Sequence, residues 1–416
     1  MKKTLCMILS VLLLSSMTLS LAACGARPQD AKDLMEDITA GTPSGVHDLA
    51  TDSARLTDFG VRLFQASKSG GKNTLVSPLS VLCALAMTAN GAKGETREQM
   101  EAVLGMKAED LNEYLYTYVQ GLRENGSLAL ANSIWFTDNE SFKVNGDFLQ
   151  INADYYGADL YKTPFDDDAC QAINDWVKEK THGMIPRILD QIPADAVMYL
   201  VNALAFEAEW AAPYDKKQVE QGDFTREDGS RLTVDYLYGD VGQYLRDENA
   251  QGFLKLYKGG DYAFAALLPD EGVSVDDYVA SLTGARLHQL LTHPESATVH
   301  TSIPKFESDF SAELGETLAG MGMPLAFDGA RADFTGLGTA DENIYISRVL
   351  HKTYISVTEK GTKAGAATVV EMMKNTSVQI PQEIKTVYLD RPFVYMLLDM
   401  RTNTPFFIGT MMTPGE

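Results

Sequence analysis

The sequence has few of the residues on which metal sites, disulfide frameworks and most catalytic centres depend. It contains four cysteines and six histidines in 416 residues. No histidine lies in an H-E-x-x-H motif or in a closely spaced pair with cysteine, so neither a zinc site nor any other metal or cofactor is expected. The nucleophile motif G-x-S-x-G and the phosphate-binding loop are also missing. These absences do not exclude catalysis, but they predict that the protein is not an enzyme.

Basic residues are in the minority. The chain has 35 Lys and Arg against 57 Asp and Glu, which gives a formal net charge of −22. This excess of acid disfavours a nucleic-acid partner and predicts repulsion from anionic membrane surfaces. A hydrophobic content of 45% and a charged content of 22% are ordinary for a globular protein. The length predicts one large domain or two to three ordinary ones with a sizeable core.

The first residues have the pattern of an export signal. Lysines at the second and third positions precede the apolar run Leu5–Leu14, which is too short to span a bilayer comfortably. The ending Leu21-Ala22-Ala23-Cys24 resembles the lipoprotein box of bacteria, in which the cysteine is acylated and begins the mature chain. Residues 1–23 are therefore predicted to be a lipoprotein signal peptide, with lipidation at Cys24. The protein is expected to be exported, as a cell-surface lipoprotein or an extracellular protein.

Residues 24–53 are polar and are predicted to tether the lipid to a folded domain over residues 54–416. The remaining mature cysteines, Cys83 and Cys170, imply no disulfide framework. A disulfide between them is possible but has no support in the sequence. Stability must therefore come from the core.

Periodicity predicts helices early in the chain and mostly strands later. Apolar spacing predicts a first helix from Ala54, and Ser77-Pro78 predicts the start of a second, with Ser as cap and Pro at the first position. The second helix is apolar on every side and is expected at the centre of the domain. One helix over Val275–Leu291 and separate strands at Leu232–Tyr238 and Gln243–Leu245 are also predicted. Without a βαβ repeat, this order favours an α+β fold with mainly antiparallel or mixed sheets.

The stretch Thr358–Ile380 has the most unusual composition of the chain. Gly361 and Thr362 are followed by small residues interrupted only by Lys363, and then by Thr368–Val370, which have high β-propensity. Small side chains enter a crowded space at little steric cost. Composition alone leaves two interpretations open: a flexible surface linker, or a loop that also serves as a strand.

Ten segments resemble, in order and at fitting spacing, the sequence signatures of the serpin family. The resemblance extends from about Leu56 to Pro414. The segments are Asn73…Ser77-Pro78…Ser80, Asn90-Gly91-Ala92…Gly94…Thr96, Asn174…Trp176-Val177…Thr181…Gly183…Ile185, Asn202-Ala203…Phe206…Trp210, Ile303-Pro304-Lys305-Phe306, Ala332-Asp333-Phe334, His351-Lys352, Glu359-Lys360-Gly361-Thr362, Asp390-Arg391-Pro392-Phe393 and Phe406-Phe407-Ile408-Gly409. One such motif is weak evidence, but ten in order identify the chain as a member of this family.

The resemblance implies an α+β serpin fold with about three sheets, about nine helices and an exposed reactive-centre loop over about residues 359–381. It also implies a suicide-substrate inhibitor of serine proteases, with cysteine proteases as the second target class. The target cleaves the loop, forms an acyl-enzyme, and is trapped covalently when the cut loop inserts into the main sheet as an extra strand. A monomer is expected, with membrane contact only through the lipid. The alternative is a non-inhibitory serpin-fold protein that binds a ligand or acts as a chaperone at the cell surface.

The resemblance also assigns roles to individual residues. The hinge, the start of the inserting loop, consists of Glu359, Gly361, Thr362, Ala364, Gly365, Ala366 and Ala367. The shutter, a buried polar cluster beneath the opening sheet, consists of Ser77, Ser80, Asn202 and His351. The breach, where the loop first enters the sheet, contains Trp210. For His351 this context favours a mechanical role over a catalytic one.

The position of the cleaved bond depends on how the loop is counted, because the loop is longer than is typical of the family. Counting forward from Glu359 places the bond at Asn375–Thr376, with Met373 and Lys374 as neighbours. Counting back from Pro392 places it near Pro381. The forward count is preferred because inhibition depends on the inserted length. Lys374 before the bond suits a trypsin-like target, whereas Met373 or Thr376 suits an elastase- or subtilisin-like one.

Overall fold

A computed structural model of the chain describes residues 31–43, 47–123, 127–193, 196–362 and 383–415. Within these ranges there are nine α-helices. They are α1 (Leu49–Ser67), α2 (Pro78–Ala89), α3 (Gly94–Leu104), α4 (Ala108–Arg123), α5 (Gly146–Tyr156), α6 (Asp167–Lys180), α7 (Val275–Ser281), α8 (Gly284–Thr292) and α9 (Gly315–Met321).

The described residues also form nineteen strands in three sheets. In chain order they are β1 (Lys32–Asp33), β2 (Thr74–Val76), β3 (Leu128–Thr137), β4 (Lys143–Val144), β5 (Asp159–Thr163), β6 (Met198–Phe206), β7 (Ala208–Glu209), β8 (Val219–Thr225), β9 (Arg231–Arg246), β10 (Ala250–Leu256), β11 (Tyr262–Pro269), β12 (Glu295–Pro304), β13 (Phe306–Glu313), β14 (Gly338–Thr339), β15 (Arg348–Val357), β16 (Gly361–Thr362), β17 (Ile384–Tyr388), β18 (Phe393–Asp399) and β19 (Thr404–Met411). The predicted α+β class, three sheets and about nine helices are thus confirmed.

Two large sheets and one small one organise the domain. Sheet A has eight strands in the order β1-β5-β3-β6-β15-β16-β7, with β13 paired to β15. Sheet B has nine strands in the order β17-β12-β9-β10-β11-β18-β19-β2, with β8 paired to β9. The third sheet pairs β14 with β4. Pairing is mostly antiparallel, but β6 and β15 in sheet A are parallel neighbours.

Helix α2 lies at the centre of the domain, as its composition predicts. All twelve of its residues are buried, and Ser77 caps its first turn by accepting a hydrogen bond from the amide of Ser80. The helix packs against β6 of sheet A and β19 of sheet B. Because it is apolar on every side, it fills the space between the two sheets and forms part of one continuous core.

Several predicted boundaries are wrong, because two glycines were interpreted as turn residues and two helix caps were overlooked. Gly239 and Gly242 suggest turns, yet both lie inside β9, which runs without a break for sixteen residues. The helix expected over Val275–Leu291 is divided into α7 and α8, and the break falls where Thr283 caps α8. Helix α1 begins before Ala54, because the side chain of Asp48 caps it.

The described part of the predicted tether is attached to the domain. Lys32 and Asp33 pair with β5 at the edge of sheet A, and the amide of Leu34 donates to the carbonyl of Leu160 at 2.9 Å. Leu34 and Met35 pack against the core. Residues 31–43 therefore lie on the folded body, and the tether predicted for residues 24–53 stays a prediction. Residues 24–30 are outside the described ranges. Among the described helices, none is both long enough and apolar enough to cross a membrane.

We expect Leu85→Ala to reduce the free energy of unfolding by about 2–5 kcal/mol, because Leu85 is fully buried at the centre of α2 and its truncation leaves a cavity. Urea-unfolding midpoints measure the change. The matched control is Glu98→Ala on the exposed side of α3, where a change within about 0.5 kcal/mol is expected. Equal effects of the two substitutions would contradict the central position of α2.

Candidate functional site

The site begins with an incomplete contact between two parallel strands of sheet A. β6 and β15 are in register from Tyr199 opposite Arg348 to Ala203 opposite Lys352. Both strands continue further, to Phe206 and Val357. In the described part of the chain, no pairing between β6 and β15 extends past Lys352, so a gap opens between their upper ends.

The first residues of the loop already occupy this gap. Gly361 and Thr362 form the short strand β16, in which Thr362 lies opposite Val357 of β15 and opposite Ala208 of β7. Both pairings are antiparallel. Since β7 follows β6 after one residue, β16 lies between the two strands that border the gap. Gly361 and Thr362 are thus paired on both sides, with β15 and with β7.

Gly361 permits this close approach because it has no side chain. A Cβ atom at this position would lie 2.1 Å from the carbonyl oxygen of Ala208. Its φ angle of 154° is also one that residues with side chains rarely adopt. A larger residue at Gly361 would therefore move β16 away from β7.

The turn before β16 is held by hydrogen bonds from the segment that follows β7. The backbone amide of Trp210 donates to the carbonyl of Lys360, and its indole Nε1 donates to the carbonyl of Thr358, both at 2.9 Å. The amide of Tyr214 donates to the carbonyl of Glu359 at 2.9 Å. The Glu359 carboxylate pairs with Lys305 at 3.1 Å. A backbone amide and Lys305 hold the pKa of this carboxyl below its usual range.

An aromatic stack forms the floor beneath Thr362. The rings of Trp210 and Tyr257 are stacked at 4.4 Å with an interplanar angle of 12°, and Phe264 meets Trp210 edge-on. The Tyr257 hydroxyl and Thr362 Oγ1 are 2.5 Å apart, and Thr362 is 1% exposed. The buried threonine hydroxyl therefore has a partner, which favours a small polar residue at this position. These contacts place Trp210, the predicted breach residue, against the start of the loop.

The structure also brings the four predicted shutter residues together beneath the gap. The amide of Ser77 donates to Nε2 of His351 at 3.1 Å, and the Ser80 hydroxyl donates to Oδ1 of Asn202. Asn202 and His351 lie opposite each other in the parallel register of β6 and β15. The cluster therefore spans the junction between the start of α2 and the two strands that border the gap.

Asn132 is a further member of this cluster that the sequence analysis missed. It lies opposite Asn202 in β3 and accepts a hydrogen bond from Nδ2 of Asn202 through its side-chain oxygen. It is 5% exposed. The available signal was a lone amide side chain within an otherwise largely apolar strand.

Burial keeps His351 neutral. The residue is 2% exposed, and loss of hydration lowers the pKa of its imidazole to about 4. Because Nε2 accepts the hydrogen bond from Ser77, the proton of the neutral ring lies on Nδ1. His351 thus acts as a hydrogen-bond acceptor that joins β15 to α2.

A comparison with the sequence models of known protein families identifies the family to which this chain belongs. The sequence model of the family described as "Serpin (serine protease inhibitor)" matches residues 54–414. The chain belongs to the serpin family.

Relatives and solved structures agree with this assignment. The chain is 28% identical to an uncharacterised serpin-like protein of Thermococcus kodakarensis over 87% of its own length and 85% of the relative. It is 30% identical to serpin B8 of Homo sapiens, over 86% and 97% of the two chains. It is 28% identical to the leukocyte elastase inhibitor of Equus caballus, over 86% and 98%.

Among solved structures, the native state of the thermophilic serpin tengpin matches with a TM-score of 0.87 and 45% identity, covering 92% of this chain and all of tengpin. The latent state of tengpin matches with a TM-score of 0.77 and 44% identity, covering 89% and 99%. Thyroxine-binding globulin in complex with thyroxine matches with a TM-score of 0.75 and 25% identity, covering 88% and 100%. The likeness is thus greater to a native than to a latent serpin. The direct pairing of β6 with β15 agrees with that difference.

Helix α6 of this serpin packs against β3 and β6 of sheet A. Trp176 and Val177 are buried, as predicted, and pack with Trp135 and Tyr199 of sheet A. Nε1 of Trp176 donates to the carboxylate of Asp159 at 2.8 Å. Loop entry past the shutter would therefore have to displace α6 or pass beneath it.

Some predicted site residues cannot be placed. The hinge residues Ala364, Gly365, Ala366 and Ala367, the bond Asn375–Thr376 with its neighbours Met373 and Lys374, and Cys24 lie outside the described residues. Within the described ranges, no group of three or more His, Cys, Asp or Glu side chains is arranged to hold a metal ion.

The lowered pKa of His351 predicts a pH-dependent contribution to stability. As pH falls below about 6.5, the unfolded chain binds a proton before the native one does, so this contribution is lost between about pH 6.5 and 4. Between pH 7.5 and 5.5, the wild type should lose about 1 kcal/mol more unfolding free energy than His351→Gln, whose amide oxygen accepts the Ser77 bond without titrating. Urea unfolding at the two pH values measures the difference. The exposed His182→Gln control should match the wild type, and equal losses in wild type and His351→Gln would refute the assignment.

Proposed function

We propose that this serpin inhibits serine proteases as a suicide substrate and traps the acyl-enzyme by inserting its cleaved loop between β6 and β15. The observation that carries the proposal is β16. Gly361 and Thr362 already pair with both borders of the gap, in the antiparallel direction that a full inserted strand needs. Cleavage of the loop would free its remaining residues to continue this strand.

The register of β16 predicts which loop residues would face the core. Thr362 faces inward and is 1% exposed, so every second residue after it would also face inward. The inward positions would be Ala364, Ala366, Thr368, Val370 and Met372. Lys363 and Glu371, which carry the only charges before Lys374, would both face outward. This alternation of side chains suits a strand with one buried face.

The same register connects the loop to the shutter. Continued one residue at a time from Thr362, it places Thr368 between Asn202 and His351. Insertion would separate these two residues, which are now neighbours, and the Thr368 hydroxyl would offer them a new hydrogen-bond partner. The shutter would thus exchange one set of polar contacts for another during insertion.

The hydrogen bonds of the new strand supply the driving force. About eleven residues, Lys363–Met373, would gain ladder bonds in addition to those that Thr362 already makes. At roughly 0.5–1.5 kcal/mol each, these bonds sum to the order of 10 kcal/mol. This is comparable to the stability of a whole domain, about 5–15 kcal/mol. Insertion is therefore strong enough to deform a protease that remains covalently attached to the loop.

The target class depends on the cleaved bond, for which we propose Asn375–Thr376 with Met373 and Lys374 as neighbouring choices. Cleavage after Lys374 would suit a trypsin-like protease, and cleavage beside Met373 or Thr376 an elastase- or subtilisin-like one. The relative described as a leukocyte elastase inhibitor supports tests with elastase. A serine protease is the proposed partner, with a cysteine protease second, and the inhibitor is proposed to be a monomer that uses no cofactor.

A non-inhibitory binding or chaperone function is the alternative. The similarity to thyroxine-binding globulin is the observation that favours it. The hinge argues against it. The resemblance to the family implies bulky or charged hinge residues in non-inhibitory members, whereas Gly361, Thr362 and Ala364–Ala367 are all small. Small residues are what entry into a closed sheet requires.

The deciding experiment mixes the purified chain with trypsin, chymotrypsin, elastase and subtilisin. We expect a complex with at least one of them that survives denaturing electrophoresis, together with a rise in the melting temperature of the cleaved inhibitor. Mass spectrometry of the released peptide would locate the bond. Cleavage without any complex and without thermal stabilisation would support the alternative for these enzymes.

Thr362→Arg should convert the inhibitor into a substrate. An unpaired charge at this buried position between β15 and β7 would stall insertion, so the protease would hydrolyse the acyl-enzyme and escape. The number of inhibitor molecules consumed per trapped protease measures this change. Lys363→Arg, at the proposed outward position, is the control and should inhibit normally. Unchanged inhibition by Thr362→Arg would contradict the proposed hinge.

We also propose export and lipidation at Cys24, on the strength of the Leu21-Ala22-Ala23-Cys24 sequence. In bacterial cells, the wild-type chain should incorporate labelled palmitate and fractionate with membranes. Cys24→Ser should lose both properties, because the acceptor thiol is gone. Cys170→Ser removes a buried thiol and should retain them. Labelling of Cys24→Ser would contradict the proposed site.

A further inference from the structure

A buried lysine lies beside the hinge, and the proposed inhibition does not account for it. Lys255 is in β10 and is only 6% exposed. Its side chain lies on the same face of the strand as Phe253, and that face is directed toward Trp210. Lysine is seldom fully buried without a charged partner, so its surroundings need an explanation.

Lys255 is surrounded by rings and one carbonyl group. Its Nζ lies 4.3 Å from the centre of the Tyr214 ring and 5.3 Å from that of Trp210. Nζ donates one hydrogen bond, at 3.1 Å, to the carbonyl of Ala212. Among the described residues, no carboxylate forms an ion pair with it. The attraction of the two ring faces therefore compensates only part of the hydration that the ammonium loses.

The residues that enclose Lys255 are those that hold the hinge. Trp210 donates to the turn that precedes β16 and stacks on Tyr257, whose hydroxyl contacts Thr362. The amide of Tyr214 donates to Glu359. Release of β16 would loosen both aromatic contacts at once and admit water to the ammonium.

We propose that Lys255 is a positioning residue for loop insertion. Its buried positive charge lowers the free energy that is needed to open the breach. The inference rests on the proposed function for its meaning, but the opening itself is measurable without a protease. While the breach is closed, the ammonium is poorly hydrated. Opening restores its hydration, so the charge favours the open form over the closed one.

The proposal has a definite dependence on pH. Burial lowers the pKa of Lys255 to about 8, whereas in the open breach it should approach its ordinary value near 10.4. The charge therefore promotes opening below about pH 8, and its effect fades as pH rises above that value. The ionisable groups near this site are Tyr214 and Tyr257, whose pKa values are raised by burial, and Glu359, whose pKa is lowered by a backbone amide and Lys305. None of these three groups is expected to titrate between pH 7 and 9.5.

Native-state hydrogen exchange of the full-length chain tests the proposal. The amides to follow are those of Trp210 and Tyr214, which donate to the hinge turn. Exchange in the wild type is compared with Lys255→Met at the same pH, so that the intrinsic pH dependence of exchange cancels. At pH 7 the wild type should exchange faster than Lys255→Met, and the ratio of the two exchange rates should fall by on the order of tenfold between pH 7 and 9.5.

Two further variants complete the test. Lys255→Arg keeps the charge at both pH values and should still exchange faster than Lys255→Met at pH 9.5. Lys258→Met removes an exposed lysine next to β10, paired with Glu209, and should follow the wild type. Slower exchange in the wild type than in Lys255→Met would show that the ring contacts lock the breach, and would overturn the proposal. A constant ratio at both pH values would also overturn it.

These outcomes are separate from those of the protease experiment. Stable protease complexes together with a constant exchange ratio would leave inhibition in place and reject the role of Lys255. Absence of complexes together with the expected pH-dependent ratio would reject inhibition by the tested proteases and retain Lys255 as the residue that controls the breach.

Discussion

The pairing between β6 and β15 stops at Ala203 and Lys352, and the organisation of the site depends on that interruption. A buried strand edge carries backbone amides and carbonyls that need partners. Gly361 and Thr362 supply the first partners and leave the rest of the gap for a longer strand. The upper parts of β6 and β15 are thus paired with each other only as far as Ala203 and Lys352, and the proposed insertion would use the strand edges that remain.

The polar groups beneath and beside the gap follow from the same constraint. A wholly apolar junction between α2 and sheet A would pack well, yet His351, Asn202 and Ser80 lie there and bond to one another or to backbone. Such bonds keep the closed sheet in one arrangement, and their donors and acceptors remain available when the strands separate. Lys255 is the counterpart at the breach, where a charge lies among rings instead of beside a carboxylate. Both ends of the gap therefore contain groups whose hydration or bonding would change in the proposed opening of the sheet.

Much of the fold could be predicted because its signals are local. The cap at Ser77 and the apolar sequence of α2 define a central helix, and the apolar run of β6 defines a strand buried on both faces. The predictions were wrong where contacts with residues distant in the sequence, and not the local sequence, determine the structure. Gly239 and Gly242 look like turn residues, but β12 pairs along β9 and keeps the chain extended. The place of Asn132 in the polar cluster was not predicted, because its hydrogen-bond partner, Asn202, is far away in the sequence.

The sequence by itself determined the family, the small residues that follow Gly361 and four of the five residues of the polar cluster, since each depends on residue types in a fixed order. Only the tertiary structure decided that Thr362 already lies between β15 and β7, and that Lys255 is enclosed by Trp210 and Tyr214. Strand register and the burial of a charge are set by contacts between segments that are distant along the chain. A one-residue shift of β16 would turn Thr362 to the opposite face, so the burial of its side chain depends on the pairing with β15 and β7.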